Sequence, residues 1–152
     1  MALHPNFLNW FNELMQSKDP EKAWHYFDFD FSAFTEEEKL DTEMALFREN
    51  WHELHDNLAQ GFQTGKNPKV AAFLFESVMN GKIPEFDYKP VSRKCIWALA
   101  DIGTEEAKSY LEKIAQSNDE IIAGFAKKRL DNWAREAGRK GKPETNATQK
   151  MT

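Results

Sequence analysis

Residues 90–133 read PVSRKCIWALADIGTEEAKSYLEKIAQSNDEIIAGFAKKRLDNW. Apolar side chains recur through this segment at helical spacing: Ile96, Leu99 and Ile102, then Ala107, Leu111 and Ile114, then Ile122, Ala126 and Leu130. Pro90 suits a helix start, Gly103-Thr104 combines a stop with a new N-cap, and Ser117-Asn118-Asp119 turns the chain again. Leu99 and Leu130 stand 31 residues apart, as do Cys95 and Ala126. A period near ~30 that holds two helices is the mark of a helical repeat.

Outward from that segment the chain stays helical towards the N-terminus, although residues 1–67 do not show the repeat. Asn67-Pro68 opens a helix that offers Val70, Ala71, Leu74, Phe75, Val78 and Met79 for burial, and Gly81 supplies its left-handed end. Before it, Thr35 and Glu38 form a capping box, the Thr hydroxyl accepting from the Glu amide while the Glu carboxylate reaches back. Leu40, Met44, Phe47, Trp51, Leu54 and Leu58 then keep one phase, which predicts a single long helix to about Gln60. Two shorter helices precede it, one from Pro5 with Phe7, Leu8, Trp10, Phe11, Leu14 and Met15, one capped by Asp19 and begun by Pro20. Between them and Thr35, Phe alternates with Asp over Tyr26–Phe34. One strand has no partner elsewhere in the chain, so the alternation predicts an ordered loop.

The run Ala98-Leu99-Ala100-Asp101-Ile102-Gly103-Thr104-Glu105-Glu106-Ala107, followed by Leu111, Asp119 and Ala126, resembles the HEAT-like repeat family, above all its short PBS-lyase-type variant. The resemblance spans residues 91–133 and implies an α-solenoid whose exposed faces bind proteins or, in some members, nucleic acid. The expected fold is all-α, a HEAT-like solenoid or irregular bundle of about seven helices. One domain is expected over residues 1–137, with a disordered basic tail at 138–152.

Composition narrows the class of function. The 152 residues are 41% hydrophobic and 30% charged, ordinary for a globular protein, with 12 Phe and 5 Trp. No window reaches the roughly 18 apolar residues of a membrane span, and the N-terminus lacks the basic start of a signal peptide. A single cysteine, Cys95, excludes an intramolecular disulfide and fits a reducing compartment, so a cytoplasmic location is expected. The net charge of −5 is uneven: residues 1–67 hold 13 acids and 5 bases, residues 68–137 hold 11 of each.

No catalytic constellation emerges. Glu49-Asn50-Trp51-His52 matches one Glu-x-x-His unit of a di-iron bundle, which needs a second unit and two more carboxylates. His52-Glu53-Leu54-His55 falls one residue short of the His-Glu-x-x-His zinc motif. Asp28-Phe29-Asp30 fails as a calcium loop, because Ala33 and Lys39 occupy the positions of the required Gly and Glu. Cys95 reads as a buried, inert thiol. No metal, cofactor or enzymatic activity is expected.

Two binding readings remain. The first places Glu38, Glu49, Glu53 and Asp56 on the solvent face of the long helix, with Asp28 and Asp30 nearby, as an acidic surface that captures a basic protein. Glu49 and Glu53 lie four apart, a like-charge spacing that a basic partner would relieve. This is the pattern of an adaptor or an inhibitor such as an immunity-type protein. The alternative is nucleic-acid binding through the basic residues 127–142, from Lys127-Lys128-Arg129 to Arg139, Lys140 and Lys142.

Overall fold

A computed structural model describes residues 5–81 and 83–136. Among these residues the chain is helical and forms no strand, with nine α-helices and three short 3-10 segments. They divide into two compact units, one ending at His55 and one beginning at Asp56. The tail expected at 138–152 lies outside the described residues.

The first unit holds α1 (Pro5–Ser17), α2 (Pro20–Ala23), a 3-10 segment (Trp24–Asp28) and α3 (Glu36–Phe47). Its boundaries follow the sequence closely. Asp19 caps α2 through the amides of Glu21 and Lys22, and the Thr35–Glu38 box closes both ways at 3.0 and 2.8 Å. The Phe–Asp alternation forms no strand; it is a 3-10 turn to Asp28 followed by an irregular loop. Aromatic packing ties the unit together. Phe7, 1% exposed, has the rings of Phe29, Phe31 and Phe34 within 5.1, 5.6 and 5.3 Å of its own. Leu8, expected on the buried stripe of α1, instead faces solvent.

The second unit comprises α4 (which begins at His55 and ends at Gly65), a 3-10 turn Pro68–Val70, α5 (Ala71–Met79), a 3-10 turn Glu85–Asp87, α6 (Tyr88–Ile102), α7 (Glu105–Ile114), α8 (Glu120–Asp131) and α9 (Trp133–Glu136). Helix α6 is its spine and packs against α5, α7, α8 and α9; α7 also packs against α5 and α8. Val91, Cys95, Ile96, Leu99, Leu111, Ile114, Ile122 and Ala126 are all fully buried, which matches the apolar recurrence of residues 90–133. Gly103 ends α6 at φ 72°, a conformation that suits a residue without a Cβ, and Thr104 then caps α7 by accepting from the Ala107 amide. One expectation fails here: Met79 is exposed rather than buried, and Ile121 beside the buried Ile122 is exposed as well.

The long helix expected from Thr35 to Gln60 is two helices. α3 ends at Phe47 and α4 starts at His55, with residues 48–54 forming a turn between them. The last carbonyls of α3 find imidazoles in place of a further helical turn. His52 Nε2 lies 2.6 Å from the Leu46 carbonyl, and His55 Nε2 lies 2.9 Å from that of Phe47. Phe47 and Leu54 are buried all the same, as an unbroken helix would have had them.

Candidate functional site

The four acids expected on one helix face, and the two expected nearby, are distributed otherwise. Glu38 is spent on the capping box of α3. Glu49 and Glu53 occupy the 48–54 turn, so the four-residue like-charge neighbourhood does not exist; it required a helix that ends at Phe47. Glu49 accepts from the Trp51 indole at 2.7 Å, while Glu53 is exposed. Asp56 lies in the second unit and pairs with Lys94 at 2.8 Å. Asp28 meets His25 at 2.9 Å on an exposed turn. Asp30 accepts from the Ser32 amide at 2.9 Å, and the Ser32 amide and hydroxyl hold its carboxyl below the usual carboxylate range.

The acid excess nonetheless belongs to one unit. Residues 1–55 carry 12 acids and 4 bases, against 13 acids and 16 bases over residues 56–152. Eight of those 12 acids are exposed. Two large aromatics share their unit: Trp24 and Phe27 are 45% and 44% exposed, with ring centroids 6.3 Å apart. Beside them in sequence, the Phe–Asp segment encloses a cavity of about 240 Å³, lined by Asn6, Phe7, Phe29, Asp30, Ala33 and Phe34. Sequence reading registered the two acids of this segment but not the enclosure. Alternation shows which side chains share a side, not what closes over them.

The histidines are structural. His52 and His55 stack with centroids 4.4 Å apart and planes 11° from parallel. His52 Nδ1 accepts from the Leu54 amide at 3.0 Å, so its Nε2 bears the proton donated to Leu46. Burial lowers the pKa of both rings; His55 falls to about 4, its stacked neighbour adding to the effect. Both ring nitrogens of His52 are engaged by the backbone, and no group of three His, Cys, Asp or Glu among the described residues is arranged to hold an ion. Tyr26 is also buried, and burial together with Glu43 raises its pKa.

In the second unit Cys95 is fully buried and its thiol is pushed up to about 12, which keeps it protonated and unreactive. Arg129 departs from its expected place on a basic surface. It is 3% exposed, and its guanidinium lies 3.9 Å from the Trp97 ring centroid. A phosphate-binding stripe at Lys127-Lys128-Arg129 thus keeps only its two lysines at the surface. Asp101, 3% exposed, accepts from the Gln63 amide at 3.2 Å. Gln63, Asp56, Lys94 and Trp97 border an open cleft of about 310 Å³ between α4 and α6. No described helix is long and apolar enough to cross a membrane. Comparison with protein-family profiles, curated proteins and solved structures finds no match to this chain.

Proposed function

We propose that this chain is a non-enzymatic protein-binding module of helical-repeat type, whose acidic first unit captures a basic partner in the manner of an inhibitor or immunity-type protein. The observation that carries this reading is the segregation of charge: the whole negative excess sits on residues 1–55, mostly exposed. A field of one sign speeds encounter with an opposite partner and disfavours wrong ones. Exposed Trp24 and Phe27 beside Asp28 add the aromatic anchors that interfaces favour over the rest of a surface. The repeat character is supported by the packing of α5 to α8, each against the next and the next but one, as stacked helix pairs require. A reducing, cytoplasmic setting fits the single buried thiol.

The test is retention of a partner from native lysate at moderate salt. A stoichiometric basic protein, released by high salt and lost when Asp28→Lys and Glu53→Lys are combined, supports the reading. Both positions are exposed, so the double variant should keep its helical spectrum. Undiminished capture by that variant would remove the acidic unit from the account, and nucleic acid in place of protein would favour the lysines of α8.

A further inference from the structure

We propose that the cavity framed by Phe7, Phe29 and Phe34 and rimmed by Asp30 receives a lysine side chain of the protein partner. The inference rests on the module reading above and names the group that anchors it.

The lining selects for a cation. It offers the part-exposed rings of Phe29 and Phe34 over a buried Phe7, with a carboxylate, one amide and one methyl group, and no basic side chain. Phenyl faces carry negative quadrupole density that attracts ammonium ions within about 6 Å. Phe29 and Phe34 stand at 90° and 83° to the Phe7 ring, with centroids 5.1 and 5.3 Å from it. The cavity is therefore bounded by rings in more than one plane. A tetrahedral ammonium suits that arrangement, whereas a planar guanidinium gains most from stacking on one flat face. At about 240 Å³ the space is smaller than the ~300–1,000 Å³ of drug-sized sites and has room for a side chain.

Two further observations agree. Asp30 is exposed, and its Oδ1 accepts from the Ser32 amide at 2.9 Å, which fixes the carboxylate among the lining residues. The same aromatic cluster already attracts an ammonium: Lys39 Nζ lies 5.8 Å from the Phe31 centroid, and Phe31 packs on Phe34 at 5.0 Å. A lysine from outside is favoured over a free amine because the cavity opens on the unit that holds 12 acids and 4 bases, a surface complementary to a basic protein.

The experiment is an amide NMR titration of the full chain with three capped tripeptides: Gly-Lys-Gly, Gly-norleucine-Gly and Gly-Arg-Gly. Norleucine keeps the lysine stem without its charge. The lysine peptide should shift Phe29, Asp30 and Phe34 saturably by about 20 mM, past the ~mM affinity of one side chain. The norleucine and arginine peptides should bind several-fold more weakly. Asp30→Asn should weaken the lysine peptide by about 2- to 5-fold, with the amides of α5 to α8 unmoved. Equal shifts with norleucine, preference for arginine, or no saturable shift at all would each overturn the proposal, and none of these comparisons depends on a variant folding. Failure here is separable from failure of the module reading. Partner capture that survives Phe34→Leu but not the Asp28→Lys, Glu53→Lys double variant would dismiss the cage and keep the acidic unit.

Discussion

The imidazole of His52 lies flat against that of His55, 4.4 Å between centroids, and each ring reaches back to a terminal carbonyl of α3. The pair tightens a helix end: the Leu46 carbonyl takes His52 beside the Glu49 amide, 3.0 Å away, and the Phe47 carbonyl takes His55. The arrangement holds only while both rings are neutral, since a charge on either would be buried against the other.

Acid should therefore loosen this unit. His55 has its pKa near 4 in the fold, against 6.5 in an unfolded chain, so between those values the unfolded chain binds more protons. Stability is then complete above about pH 7 and falls as pH drops through that window. From His55 alone the loss at pH 5 should be about 2 kcal/mol. Urea denaturation at pH 7.5 and pH 5 measures it. His55→Gln keeps a donor for the Phe47 carbonyl without titrating, and should flatten the slope.

Removing a cap should cost what one helix end is worth. Thr35→Ala deletes the hydroxyl that accepts from the Glu38 amide at 3.0 Å and should destabilise the first unit by about 1 kcal/mol. Asp119→Ala, at the start of α8, should cost the second unit a similar amount. Thermal unfolding followed by circular dichroism reads both.

Two helices end on lysines forced into left-handed backbone, Lys18 at φ 54° after α1 and Lys66 at φ 53° after α4. Each amide bonds back to its helix, to Leu14 at 2.8 Å and to Phe62 at 3.1 Å, so the conformation is built in. A Cβ is strained there. Lys66→Gly should stabilise by about 0.5–1 kcal/mol, seen as a higher urea midpoint at unchanged slope.

Arg129 should prove intolerant of the usual conservative exchange. Its flat guanidinium covers the Trp97 ring at 3.9 Å and is almost wholly buried. Arg129→Lys replaces a planar group with a compact, strongly hydrated charge and should cost about 2 kcal/mol or more. Equilibrium denaturation of the second unit, followed by tryptophan emission, would show it; stability equal to the parent chain would dismiss the stacking account.

What the sequence made legible was local. Asp19, Thr35 with Glu38, Asn67, Thr104 and Asp119 each cap the helix expected of them, because a cap depends on residues two or three positions away. The break at residues 48–54 was hidden because its apolar residues hold the phase of an unbroken helix. Its cause, two imidazoles folding back onto carbonyls six and eight positions earlier, has no periodic signature. Asp28 and Asp30 were visible as acids, whereas the enclosure beside them depends on Phe7 from another helix. Arg129 read as surface charge for the same reason: its cover, Trp97, is 32 positions away.

Cys95 lies in the middle of α6 with no exposed surface, and burial pushes its thiol up to about 12. Being the chain's single cysteine, it turns that helix into a clock. A disulfide reagent in large excess can react only when α6 opens, so the modification rate, once independent of reagent concentration, counts opening events in the second unit alone. The first unit has no thiol and stays silent in that measurement. The fraying of one half of the molecule can thus be timed while the other half is left unlabelled.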